Sequence, residues 1–358
     1  MEKKLSFEQL SAFVHSVFEA MGCSREDAQT AAGNLLSADL SGVDSHGVAR
    51  LSGYFRLWEA GRIEAKPNIK VLHETPSTAL VDADRALGLV AAPFAMNLAI
   101  EKAKIAGTGW VAVRNSNHYG IAGQYAKMAL THDMIGISMT NASALVSPTF
   151  SRERMLGTNP IAMAVPAASE PAFVADFATT TASNGKLEIL QRKSAATPEG
   201  WIQDELGEIT RDPAILKKGG SMLPLGSNRE HGSHKGFMLG SMVDILSGVL
   251  SGANFGPWVP PFPAYVPMPE NQPGKGLGHF FGAIRVDAFE TAESFKQRMD
   301  LWIRRFREAT PIDPIQPIII PGEPERMAEK ERIIHGIPLT ESVWEDLKQL
   351  SERLKINF

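Results

Sequence analysis

The chain of 358 residues has a single cysteine, Cys23, so it has no internal disulfide and no zinc or iron–sulfur site built from cysteines. A reducing compartment fits that usage, and a cytoplasmic location is expected. Positive charge is not in surplus: 36 Lys and Arg face 40 Asp and Glu, a net charge of −4, which argues against a general nucleic-acid binder. No stretch approaches ~20 uninterrupted apolar residues, so no membrane span is expected. The most apolar segment, Phe237 to Leu250, is short, contains Asp244, and reads as a buried helix. The first residues, MEKKLSFEQLSAF, are basic, but Glu8 and Gln9 interrupt any apolar region, so no signal peptide is expected. Familiar catalytic and nucleotide-binding signatures are missing as well. No GxGxxG joins a strand to a helix. Gly107 and Gly109 follow a helix and precede a strand, the reverse of a Rossmann turn. P-loop, GxSxG and HExxH patterns are absent, and the HxxH spacing of His231 and His234 is by itself a weak metal signal, so no metal is expected.

What is present describes an ordinary soluble enzyme, with 44% apolar and 21% charged residues. At ~150 residues per domain the length predicts roughly two domains. Ser6 and Gln9 have capping-box spacing ahead of Leu10, Phe13, Val14, Val17 and Phe18, and Gly22 can end that helix. Ser24 opens a second helix with an alanine and leucine stripe, and a third is expected from about Gly47 to Gly61. From Ile69 the texture alternates. Strands are predicted at 69–72, 78–81, 110–113, 135–140, 161–165 and 173–175, with helices at 91–105 and 124–130 among them, which implies an α/β core. Residues 254–278 read as a long Pro- and Gly-rich surface loop, followed by a strand at 280–286 and a helix at 292–308. A Pro-rich extended stretch covers 310–324 and a terminal helix 341–354.

Four segments carry candidate chemistry. In DSHGVARLSGY, His46, Arg50 and Tyr54 fall at i, i+4 and i+8 and would share one side of a helix capped by Asp44 or Ser45. Arg50 can grip a carboxylate through two parallel hydrogen bonds. The same spacing equally suits a solvated arginine and a histidine that merely neighbours a cap. In NSNHYG, His118 follows a strand, where its near-neutral pKa suits proton transfer, and Asn115, Ser116 and Asn117 can orient its ring; a structural histidine in a polar turn fits as well. In GSHKGF, Lys235 stands at a helix start, where the dipole disfavours a cation unless a bound anion compensates. In LGTNPIA and ADFATT, Thr158, Asn159, Asp176 and Thr179 to Thr181 sit at strand ends, where hydroxyls suit a sugar or phosphate, or simply cap turns.

Taken together, DSHGVARL, NSNHYGIAGQYA, LGTNPIA, ADFATT, HKGFMLGSMVDILSGVLSGA and PGEPE occur in one order over nearly the whole chain, and in this the sequence resembles the non-Rossmann malate/L-lactate dehydrogenase family. The resemblance implies a mixed-sheet, non-Rossmann NAD(P)-binding α/β core (73–287) with a helical domain made from 1–72 and 288–358. It implies an enzyme that interconverts a small 2-hydroxy acid and its 2-oxo acid with NAD or NADP, working as a homodimer or higher assembly. Some relatives reduce cyclic imino acids instead, and a catalytically silent binding protein on this scaffold is the remaining alternative. His118 would be the acid/base, with His46 as the rival proton donor; Arg50 would clamp the carboxylate and Ser45 would line the pocket. Thr158, Asn159, Asp176, Phe177, Ala178, Thr179, Thr180, His234, Lys235, Pro321, Gly322 and Glu323 would contact the dinucleotide. Two features depart from the family pattern: the long 254–278 stretch, and Thr180 where a small residue or serine is usual.

Overall fold

The computed structural model describes residues 3–358, apart from the side chain of Arg192. Strand β1 (Lys3–Leu5) precedes α1 (Phe7–Ala20), whose capping box forms as expected: the Gln9 N–H donates to Ser6 Oγ at 3.2 Å, and the Ser6 N–H donates to Gln9 Oε1 at 3.0 Å. Ser24 caps α2 (Arg25–Leu40) with its hydroxyl, which accepts the Asp27 N–H at 3.1 Å and donates to Asp27 Oδ2 at 2.8 Å. The third helix differs from expectation. A 3₁₀ turn at Val48–Arg50 comes first, and α3 runs only over Leu51–Glu59. Its opening is not capped by Asp44 or Ser45. The buried Asp39 of α2 accepts the Val48 N–H at 2.8 Å instead. Gly47 permits this approach, since a Cβ there would lie 2.1 Å from the Asp39 carboxylate.

The alternating region follows with β2 (Lys70–Glu74), β3 (Thr78–Asp82), α4 (Gly88–Ala106), β4 (Thr108–Ser116), α5 (Ala122–Lys127), β5 (Met134–Thr140), β6 (Ile161–Val165) and β7 (Phe173–Phe177). After α6 (Asn184–Arg192) come the short strands β8 (Ile202–Gln203), β9 (Ile209–Thr210) and β10 (Ser221–Met222). These form a small separate sheet, and none is legible as a strand in the sequence. The chain continues through α7 (Ser233–Asp244), β11 (Leu277–Arg285), α8 (Ala292–Arg307), α9 (Glu323–His335), β12 (Ile337–Leu339) and α10 (Glu341–Leu354). Helix α9 begins where the extended stretch expected at 310–324 ends, in a segment for which the sequence predicts no element.

The main sheet has seven strands in the order β2-β3-β4-β11-β5-β6-β7. Only β3 and β4 run parallel, joined by α4; the other neighbours are antiparallel. A doubly wound parallel sheet is therefore not built, in keeping with the missing Rossmann turn. Helix α4 presses its alanines, Ala91, Ala92, Ala95, Ala99 and Ala103, onto this sheet. Gly109 on β4 makes the contact possible: a Cβ there would stand 1.9 Å from the Ala99 carbonyl oxygen. A second core, with larger side chains such as Phe13, Phe18, Leu35, Leu36 and Tyr54, joins α1, α2 and α3 to Ile337, Leu339, Leu347 and Leu350 near the C-terminus. Strand β1 pairs with β12, so the two ends of the described chain meet.

Two expectations fail. Helix α7, continued by a π-helical turn at Ile245–Val249, is not buried all round. Met238, Met242, Ile245, Val249 and Leu250 are each more than half exposed, while Gly236, Gly240 and Val243 face inward. The high apolar content that reads as a core helix belongs to both faces. Residues 254–278 are not merely a surface loop either: Asn254, Gly256 and Val259 are buried, and the stretch walls the cavity described next. No helix among the described residues is long and apolar enough to cross a membrane.

Candidate active site

A cavity of about 810 Å³ opens between the α2–α3 connection, the ends of β4 and β7, the start of α6 and the proline-rich wall. Ser45, His46, Arg50 and His118 all line it, although His118 lies 68 to 73 positions after the others in sequence. Glu188, Ser143, Lys127 and Phe262 also line it, and none was singled out from the sequence. Glu188 was hidden because its role depends on the packing of α6 against the Ser45 loop. Gly185 allows that packing, since a Cβ there would lie 2.4 Å from Ser45 Cβ.

His118 leaves the end of β4. Its Nδ1 lies 2.6 Å from the hydroxyl of Tyr54, which is fully buried on α3, and 3.3 Å from the Gly120 backbone nitrogen, whose N–H donates to it. With that N–H pointing at it, Nδ1 is the lone-pair nitrogen, the Tyr54 hydroxyl donates to it too, and the ring proton sits on Nε2. Asn115, Ser116 and Asn117 do not orient the ring. Asn115 donates to Asp82 at 2.8 Å, Ser116 pairs with the buried His279 at 2.7 Å, and Asn117 donates to the Arg85 and Ala86 carbonyls at 3.0 Å. They fix the backbone that carries His118. The His46 ring stacks 5.7 Å away and the Phe262 ring 5.0 Å away. Burial lowers the His118 pKa well below its ordinary value, with His46, Arg50 and His279 adding to the effect. Burial and Arg50 likewise push His46 down to about 4.

Arg50 donates from Nε to the Ser45 carbonyl at 2.6 Å, and its Nη2 lies 3.5 Å from Glu188 Oε2. The guanidinium is thus anchored on one edge, with a carboxylate already near the other. The Ser45 hydroxyl lies 2.9 Å from the Nδ1 of its neighbour His46.

Of the residues expected near a dinucleotide, Thr158, Asp176, Phe177, Ala178 and Gly322 line the same cavity. Asp176 accepts the Gly123 N–H at 2.7 Å. Its side chain is exposed to the cavity, whose walls crowd around it. Burial pushes its pKa up to about 6, with Glu325 also raising it and the Gly123 N–H and Lys127 opposing. Asn159, Thr179 and Thr180 lie behind the wall. Asn159 receives the Ala142 N–H at 3.1 Å and donates to the Gly240 carbonyl at 2.9 Å, Thr179 donates to the Thr158 and Asn159 carbonyls at 3.1 Å, and Thr180 donates to the Ala182 carbonyl at 2.6 Å. Because Thr180 is buried and turned inward, its departure from the family pattern leaves the cavity surface unchanged. Pro321 and Glu323 flank Gly322, with Glu323 paired to Arg307 at 2.7 Å. His234 and Lys235 occupy the first turn of α7 and do not line the cavity; His234 Nδ1 lies 2.8 Å from Arg229 Nη1.

The sequence profile of the malate/L-lactate dehydrogenase family matches residues 5–348. The chain is 44% identical to the malate dehydrogenase of Pyrococcus abyssi over 350 residues, covering 98% of this chain and 94% of that protein. It is 37% identical to the malate/(S)-sulfolactate dehydrogenase of Methanothermus fervidus over 352 residues, covering 98% of each. The solved structure of malate dehydrogenase from Pyrococcus horikoshii superimposes with a TM-score of 0.90 at 39% identity, over 99% of this chain and 97% of that one. With the sheet order, the cavity and these likenesses in agreement, the chain belongs to the malate/L-lactate dehydrogenase family and is an oxidoreductase of 2-hydroxy acids that uses a nicotinamide coenzyme.

Proposed function

We propose that His118 is the acid/base and Arg50 the carboxylate clamp of a dehydrogenase that interconverts a small 2-hydroxy acid of the malate or lactate type with its 2-oxo acid. The observation that supports this most directly is their convergence in one cavity, with His118 Nε2 free of protein partners among the described residues. A nicotinamide dinucleotide and a small acid together suit a cavity of about 810 Å³, toward the upper end of the ~300–1,000 Å³ of ligand pockets. Phe177, 42% exposed, offers an apolar face beside Asp176 and Ala178 for that coenzyme. When bound, the coenzyme supplies or accepts the hydride.

The chain's own residues do the rest. The guanidinium of Arg50, pinned at Nε, offers its outer nitrogens to the substrate carboxylate. That carboxylate offsets the positive field which, with burial, holds His118 neutral, so substrate binding favours proton uptake at His118. In reduction His118 gives its Nε2 proton to the oxygen that was the carbonyl; in oxidation Nε2 removes the hydroxyl proton. His46, stacked on His118 and pushed down to about 4, adds a neutral polar surface rather than a second charge. The proline-rich wall, with Phe262 over His118, excludes water.

The same proposal has Thr158, Asp176 to Ala178 and the Gly322 turn bordering NAD or NADP, with Asn159, Thr179, Thr180, Pro321 and Glu323 shaping that wall from behind. His234 and Lys235 enter as anion-binding groups outside the cavity of a single chain. It also has a helical unit from 1–72 and 288–358 flanking a 73–287 core, a homodimer or higher assembly, and a cytoplasmic location. The test is oxidation of NADH and NADPH against oxaloacetate, pyruvate, sulfopyruvate and a cyclic imino acid. Turnover of an oxo acid with either coenzyme is expected and identifies the coenzyme. Turnover of the imine alone overturns the substrate class.

A further inference from the structure

Tyr54 holds a place that neither the clamp nor the acid/base explains. It is fully buried on α3, packed edge-on against Phe18 and Phe262, and its hydroxyl makes one hydrogen bond among the described residues, to His118 Nδ1 at 2.6 Å. The other group at Nδ1 is the Gly120 N–H, which can only donate. Proton transfer at Nε2 makes a demand on Nδ1. To give a proton from Nε2 and finish as neutral imidazole, His118 must carry a proton on Nδ1; to accept one at Nε2, it must again start with its proton on Nδ1. The resting hydrogen bonds favour the other tautomer. A proton on Nδ1 needs an acceptor, and the Tyr54 oxygen is the only acceptor at that nitrogen among the described residues.

We propose that Tyr54 is a positioning residue whose hydroxyl reverses its hydrogen bond during turnover, donating to Nδ1 at rest and accepting from Nδ1–H when His118 is protonated or ready to act as base. A phenol, with one proton and lone pairs on a rotating oxygen, can do both without moving the ring. In reduction, doubly protonated His118 donates Nδ1–H to Tyr54 and gives its Nε2 proton to the substrate oxygen while hydride from the coenzyme reaches carbon. The ring is left neutral, with its proton on Nδ1. Oxidation runs the same proton and hydride steps backwards. The reversed state leaves the Tyr54 proton without a partner, which keeps the free enzyme in the resting form. The titratable and charged groups facing His118 are His46 and Arg50 from the connection before α3, Tyr54 from α3, and His279 from β11.

The proposal rests on His118 being the acid/base, and its test separates the two. Y54F is compared with wild type by kinetics in both directions, by thermal unfolding, and by ¹⁵N spectra of histidine-labelled protein, with His118 assigned from H118N. The expected result is a loss in kcat of roughly 10- to 100-fold in both directions, the size of a hydrogen bond to a charged group. The coenzyme KM and melting temperature stay near wild type, and the His118 ring titrates at lower pH than in wild type. An unchanged kcat and ring titration overturns the proposal, as does a wild-type resting ring with its proton on Nδ1. If Y54F does not fold, the wild-type spectrum still decides. If wild type turns over nothing, the dehydrogenase reading fails while the spectra still report what Tyr54 does to His118.

Discussion

At one part of the cavity wall burial strips protons from His46 and His118; at another it helps Asp176 keep one. The first group surrounds the fixed charge of Arg50, and the second shares its field with Glu325 and Lys127. A single cause, loss of water, thus leaves both groups closer to neutral than they would be in solvent. Beside the histidines the fixed charge is then that of Arg50, with the Glu188 carboxylate at its edge, in surroundings the substrate can still change.

The difference makes predictions that can break it. The largest concerns His118: H118N lowers turnover by ~100- to 10,000-fold, the range of general acid–base catalysis, with coenzyme affinity little changed. Turnover near wild type shifts the chemistry to His46. Next, R50K raises the substrate KM by ~10-fold or more, because a point charge cannot replace a bidentate fork, and steady-state kinetics with the preferred acid measure it. An unaltered KM removes Arg50 from substrate binding.

Stability sharpens the contrast further. His46 and His118 bind fewer protons folded than unfolded between their lowered pKa values and 6.5. Their stabilisation is therefore present above pH 6.5 and lost as pH falls toward about 4 for His46. Asp176 works in the opposite sense. Its raised pKa makes the contribution full below about 4 and lost as pH rises through about 6. Melting curves of the coenzyme-free protein are expected to show D176N gaining on wild type above pH 6 and matching it at pH 4. Equal curves at both pH values remove the proposed asymmetry. The smallest effect belongs to E188Q. Freeing Arg50 from the Glu188 carboxylate at 3.5 Å lowers the substrate KM a few-fold, in line with the ~0–1 kcal/mol of a partly exposed pair. A raised KM instead makes Glu188 a support for the clamp.

The sequence exposes this arrangement unevenly, for physical reasons. Ser6 and Ser24 announce their helices because capping is a local bond, and β6 matches its predicted span because its strand pattern is uninterrupted. His46, Arg50 and His118 are legible as chemistry, and the family strings place them together. The Tyr54 bond to His118 and the Glu188 approach to Arg50 are not legible, since each joins elements far apart in the chain. The short strands β8 to β10 span two residues each, too few for any period to register. The misread helix at 237–250 has the opposite problem: apolar content says how much surface avoids water, not which side of the helix is covered.

The position of β11 has a consequence in time. Its residues 277–285 lie between β4 and β5, which end by residue 140. During synthesis both of those strands emerge well before the strand that joins them, and each waits with an unpaired edge toward the missing centre. At about 5–20 residues per second, the interval of some 140 residues lasts roughly 7–30 s. Over that interval the nascent chain exposes the two edges most able to pair with the wrong partner. Yield from rapid, crowded expression is therefore set by how well those edges are shielded until β11 arrives.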